Sequence, residues 1–225
     1  MNKKIFIACD TNKISTVKKI INSTKTKKLS IGYKFGLEFW NSKNGRSFIS
    51  KLKNKVIFAD LKLLDIPNTC RSAIKSIKDI KNINYLTVHV SGGLEMLKTI
   101  KSVSGKIKIL GVTTLTSLDN RALKQIGYKK NVKQLVLHQA KLAKLAKLNG
   151  IICSPHEAKF LKRICKGMEI ITPGIRLKKD KAHDQKRITT PKEAFKNGAT
   201  SIVIGRSITK GSIKKNIQKL INSLN

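Results

Sequence analysis

Eight short apolar runs, rich in β-branched residues, recur about every 20 to 30 residues, and this rhythm restricts the fold more than any other feature of the chain. They begin near Lys3 (KIFIACD), Leu29 (LSIGYK), Lys55 (KVIFADLK), Ile83 (INYLTVHV), Lys106 (KIKILGVTTL), Gly150 (GIICS), Met168 (MEIITPG) and Thr200 (TSIVIGRS), with one longer gap before Gly150. The stretches between them have helical character. Strands that are continuously apolar and alternate with helices indicate a parallel sheet covered on its outer face. Eight such units in 225 residues predict a closed (β/α)8 TIM barrel forming a single domain over 1–225. A doubly wound open sheet is the alternative, but no GxGxxG follows the first strand.

With 40% hydrophobic and 27% charged residues the chain has enough apolar material for a folded core. No apolar run approaches the ~20 residues of a membrane span, and the first strand follows Met1 too closely for a signal peptide. Cys9, Cys70, Cys153 and Cys165 form no close pair, so they read as reduced thiols of a cytoplasmic protein rather than a zinc site. The net charge of +36 permits nucleic-acid binding. However, 41 of the basic residues are Lys and 7 are Arg, and they are scattered from Lys3 to Lys219. Base readout and bidentate phosphate gripping favour Arg, so this is read as a solvated surface without a specific nucleic-acid site. The lysine-punctuated stretch from Lys141 to Leu148 resembles a membrane-active peptide, yet its position predicts a barrel helix with Leu and Ala inward and Lys outward.

Chemistry concentrates after the third run. Side chains alternate on a strand, so Asp60 and Lys62 share a face, inward at the C-terminal mouth of a barrel. Two of only 7 Asp residues flank Lys62 within six positions. That spacing alone is equally compatible with a structural ion pair. Pro67 biases Ile66 away from helix and leaves Asp65 in an extended turn, free to reach across a cleft.

FADLKLLDIPNT, together with the Val88–Gly93, Val112–Ser117 and Ile171–Arg176 motifs and Ile204-Gly205-Arg206, resembles the orotidine 5′-phosphate decarboxylases, in order from Asp10 to Arg206. The resemblance implies a homodimeric barrel converting orotidine 5′-phosphate to uridine 5′-phosphate and carbon dioxide, with no metal and no cofactor. Lys34, Asp60, Lys62 and Asp65 match the family's catalytic network, with Lys62 the proton donor and Asp65 serving the partner subunit's site. Asp10 resembles the ribose contact. The segment Asp60, Leu61, Lys62, Leu63, Leu64, Asp65, Ile66, Pro67, Asn68 and Thr69, with Thr116, resembles the ribose and pyrimidine contacts. Arg176, Gln185, Gly205 and Arg206 resemble the phosphate contacts, and the 177–190 loop would close over them. Leu177 and His183 depart from the family pattern in that loop. His89, at the end of the fourth run, reads as a packing histidine.

Metal-using sugar-phosphate decarboxylases and hexulose phosphate synthases of the same superfamily share the Asp-x-Lys-x-x-Asp core. They carry a carboxylate at the end of the second strand, where this chain has Lys34.

Overall fold

A computed structural model describes residues 3–177 and 189–224. Eight parallel strands close into a barrel in chain order: β1 (Lys4–Ala8), β2 (Ser30–Phe35), β3 (Val56–Leu63), β4 (Ile83–His89), β5 (Lys108–Val112), β6 (Gly150–Ile152), β7 (Glu169–Thr172) and β8 (Ser201–Ile204). Each coincides with one of the eight runs, β2 and β3 extending one residue past theirs. β1 closes the ring against β8, with Lys4 opposite Ser201 and Ile7 opposite Ile204.

The connections carry α1 (Ile14–Ser23), α2 (Leu37–Trp40), α3 (Gly45–Ser50), α4 (Pro67–Lys78), α5 (Gly93–Val103), α6 (Asn120–Gln125), α7 (Val132–Leu145), α8 (Pro155–Leu161), α9 (Pro191–Lys196), α10 (Arg206–Thr209) and α11 (Ile213–Leu224). Several starts are written locally. Proline occupies the first turn of α4, α8 and α9, where its missing N–H has no helical partner to lose. Asn131, Ser154 and Thr190 close capping boxes with Gln134, Glu157 and Glu193. On α11 the buried residues Ile213, Ile217, Leu220 and Ile221 keep the spacing of one helical face. Among the described residues no helix is long and apolar enough to cross a membrane.

Strand alternation divides the core in two. One face of each strand packs against the helices, as Ile5, Ile7, Ala59, Leu86 and Val88 do. The other fills the barrel with Phe6, Ala8, Phe58, Tyr85, Leu110, Ile171 and Val203. The Phe6 and Phe58 rings meet edge to face, with centroids 5.0 Å apart. Gly32 leaves room for this: a Cβ there would lie 2.8 Å from the Phe6 ring. Burying each such ring contributes about 2–3 kcal/mol. Below them the Tyr85 hydroxyl meets Lys4 Nζ at 2.7 Å and Glu169 Oε1 at 3.2 Å, and Glu169 pairs with Lys108 at 2.6 Å. The floor is thereby closed by polar groups, and the opening lies at the C-terminal ends of the strands.

The lysine-rich helix differs from its expected form at one end. α7 stops at Leu145, which is exposed, and Lys147 takes a left-handed backbone with φ 55°. Leu148 is buried beyond the helix rather than on it.

Candidate active site

The C-terminal ends of β1, β2 and β3 bring four charges into one line of alternating sign. Asp10 follows β1, Lys34 lies on β2, and Asp60 and Lys62 lie on β3. Lys34 Nζ is 3.0 Å from Asp10 Oδ1 and 3.2 Å from Asp60 Oδ2, and Lys62 Nζ is 2.9 Å from Asp60 Oδ1. Lys34 and Asp60 have side chains only 11% and 13% exposed, whereas Lys62 is 33% exposed and reaches the opening. Gly36 keeps the space beside this line clear, since a Cβ there would sit 3.3 Å from Lys34 Nζ.

β3 does not reach this arrangement as a regular strand. Ala59 pairs with Leu86 and Leu63 with Val88, so β3 makes four steps while β4 makes two. Lys62, inside this bulge, has φ 50°. Such a backbone costs a non-glycine residue about 1–2 kcal/mol, and the surrounding ion pairs and hydrogen bonds hold it in place. Asp60 and Lys62 nevertheless share the inner side, while Leu61 and Leu63 pack toward the helix-side core.

Electrostatics follow from burial and pairing. Burial pulls the Lys34 ammonium down, but the Asp60 and Asp10 carboxylates outweigh it and the group lies above its ordinary 10.5. Burial likewise pushes the Asp60 carboxyl up. Lys34 and Lys62, with hydrogen bonds from Lys62 and Thr87, win and hold it below 3.8. Burial lowers the His89 imidazole, and Lys62 nearby lowers it further against the pull of Asp60. The Cys9 thiol behind the pair is driven up by burial, to about 12, despite Lys34.

The line of charges forms one wall of a cavity of about 730 Å³. Facing it are Arg176 and Gly174 after β7, with Gly205 and Arg206 after β8. Arg176 is buried and donates from Nη1 to the Ile175 carbonyl at 2.9 Å. Thr114, Leu115 and Thr116 close a third side. Residues 174–176 are tied to Thr189, with Arg176 N–H donating to the Thr189 carbonyl and Thr189 N–H to the Gly174 carbonyl.

Of the residues singled out in the sequence, Asp10, Lys34, Asp60, Lys62, Thr116, Arg176, Gly205 and Arg206 therefore line one cavity. Leu61, Leu63, Leu64, Asp65, Ile66, Pro67, Asn68 and Thr69 do not line it. Leu61 is in the core, and Leu64, Asp65, Ile66, Asn68 and Thr69 are exposed beside the mouth. Ile66 is extended, at φ −60° and ψ 153°, and its N–H is accepted by Asp65 Oδ1 at 2.7 Å. Gln185 and His183 lie outside the described residues, whereas Leu177 is described and buried. Sequence reasoning missed Thr87 and Thr114. The first had a signal, because it stands between Tyr85 and His89 on the inner face of β4.

The model of the orotidine 5′-phosphate decarboxylase / HUMPS family matches residues 3–218. The chain belongs to this family. The orotidine 5′-phosphate decarboxylase of Wolbachia sp. subsp. Brugia malayi is 43% identical over 223 residues, covering 96% of both chains. That of Wolbachia pipientis subsp. Culex pipiens is 45% identical over 194 residues, 84% of both. The crystal structure of the Lactobacillus acidophilus decarboxylase superposes with a TM-score of 0.85 over 100% of both chains at 32% identity.

The buried pair gives this member of the family a defined response to pH. Asp60 titrates below its unfolded value, so its contribution to stability is complete above about pH 5 and is lost as pH falls through the folded value. Lys34 titrates above its unfolded value, so its contribution is complete below about pH 9 and is lost as pH rises through the folded value. Lys34→Met removes one partner of a buried pair, which costs about 3 kcal/mol. In thermal unfolding the gap in Tm between wild type and Lys34→Met should be constant through neutral pH and narrow at both extremes. A gap that widens above pH 10.5, the ordinary lysine value, would contradict the assignment.

Proposed function

We propose that the barrel decarboxylates orotidine 5′-phosphate to uridine 5′-phosphate, the last step of de novo pyrimidine synthesis, with no metal or organic cofactor. The observation that carries this reading is the unbroken line Asp10–Lys34–Asp60–Lys62 facing Arg176 and Arg206 across one cavity. The guanidinium end suits the phosphate, which Arg grips with paired donors. Asp10 suits the ribose hydroxyls.

At the other end the bond from ring carbon six to the carboxylate breaks. Carbon dioxide departs, the electron pair stays on the carbon, and the Lys62 ammonium stabilises that charge before giving it a proton. Lys62 is left as a neutral amine and regains its proton from solvent. Asp60, near the departing carboxylate, crowds charge in the ground state and anchors Lys62. Lys34 holds both Asp10 and Asp60 in place. Phosphate binding far from the reacting carbon supports the rate by fixing the ring against Lys62.

Two identical subunits share the sites in this reading. Asp65 stands outside the line of charges, in an exposed strip with Leu64 (54% exposed) and Ile66 (67%), as a residue that completes the partner's site would. The four buried, unpaired cysteines fit a reducing cytoplasm.

The metal-dependent alternative within the superfamily meets Lys34 where it would use a carboxylate. Purified protein should consume orotidine 5′-phosphate, followed as loss of the orotate chromophore, at the same rate with EDTA as without. Loss of turnover in EDTA with recovery on adding magnesium would overturn the metal-free mechanism.

A further inference from the structure

We propose that Thr87 is a positioning residue for the reaction, its hydroxyl locking the Lys62 backbone and the Asp60 carboxylate into one unit. This rests on the roles proposed for Asp60 and Lys62. Thr87 is fully buried on the inner face of β4, between Tyr85 below and His89 above, and does not line the cavity. It stands opposite the bulge, where β3 spends four residues against two of β4.

The bulge displaces the Lys62 N–H from the regular ladder, and Thr87 Oγ1 accepts it at 2.9 Å. The same hydroxyl donates to Asp60 Oδ1 at 3.0 Å, the oxygen that receives Lys62 Nζ at 2.9 Å. The donor direction is fixed by the carboxylate, which only accepts, so the hydroxyl lone pairs are left for the N–H. The result is a closed loop: Lys62 main chain to Thr87, Thr87 to Asp60, Asp60 back to the Lys62 side chain. Both ends of the reacting lysine are set by one carboxylate and one hydroxyl. The left-handed conformation of Lys62, at φ 50°, is the feature this loop retains.

Valine has the shape of threonine without the hydroxyl. Thr87→Val leaves a buried N–H unpaired and removes a donor from Asp60, so the carboxylate is free to turn toward Lys34 and draw Lys62 from its place. Asp10, Arg176, Gly205 and Arg206, on the rest of the cavity wall, are untouched. The expected result is a fall in kcat of about 10- to 100-fold with KM and the Kd of uridine 5′-phosphate within about threefold of wild type. Thr87→Ser keeps the hydroxyl and should stay within about threefold in kcat. The acid limb of the kcat profile should move to higher pH in Thr87→Val, because Asp60 has lost a hydrogen bond that favours its charged form.

Retention of kcat within about twofold in Thr87→Val would overturn the inference, as would a fall in Thr87→Ser equal to that in Thr87→Val. If Thr87→Val does not fold, Thr87→Ala is compared with Thr87→Ser by the same criteria. Lys62→Ala in the same assay separates the two levels of the argument. An inactive Lys62→Ala beside a fully active Thr87→Val removes only the role of Thr87, whereas an active Lys62→Ala removes the catalytic reading on which it rests.

Discussion

Lys62→Ala should lower kcat at least about 10⁴-fold, because the substitution removes two effects at once. A fixed charge at the carbon where an electron pair develops is worth about 10²–10³ in rate, and a positioned proton donor about 10²–10⁴. Among the described residues no neighbour substitutes for either. Lys34 is held between Asp10 at 3.0 Å and Asp60 at 3.2 Å, so its ammonium is committed away from the reacting carbon. Ground-state binding should suffer far less, since Arg176, Arg206, Gly205 and Asp10 remain on the cavity wall. Removing the ammonium leaves the Asp60 carboxylate facing the substrate carboxylate with Lys34, 3.2 Å away, as its remaining counter-charge, so KM should rise modestly while kcat collapses. The measurement is single-turnover and steady-state loss of the orotate chromophore. Turnover of Lys62→Ala within tenfold of wild type would exclude Lys62 as proton donor.

The fold was legible because its signal is repeated. Each strand coincides with an apolar run to within a residue, and the alternation that puts Phe58 inside the barrel and Ala59 outside also puts Asp60 inside. The same alternation argues against Leu61 and Leu63 as substrate contacts. They belong to a contiguous motif, but in space every second residue of that motif turns to the helices. The bulge was not legible. Neither Gly nor Asn marks Lys62, and a lysine in a left-handed conformation is imposed by tertiary contacts from β4 rather than by local preference. Thr87 had its inner-face position between Tyr85 and His89 as a signal, but a threonine on a strand is ordinary until the residue facing it is known. Leu145 shows the opposite failure: helical spacing suggested burial, but the helix ended there and the side chain stayed in solvent.

Asp65 yields the second large effect, and symmetry makes it quantitative. Asp65→Ala and Lys62→Ala homodimers should each be nearly inactive, yet mixing them should restore activity. In a two-fold dimer with shared sites, one site of the heterodimer takes Lys62 from the Asp65→Ala chain and Asp65 from the Lys62→Ala chain, and both are native. The other site carries both lesions. Each heterodimer should therefore have about half the activity of a wild-type dimer, and random reassortment of equal amounts should give about a quarter overall. Were Asp65 to serve its own subunit, each heterodimer site would carry one lesion and nothing would be regained. The monomer favours the first outcome: Asp65 is exposed, its Oδ1 accepts the Ile66 N–H, and the Lys62 ammonium pairs with Asp60 while its side chain is one-third open to the mouth. Activity regained in proportion to the heterodimer fraction, measured with differently tagged chains, ties dimerisation to the chemistry. Verified heterodimers as inactive as their parents would return Asp65 to the surface as a turn residue.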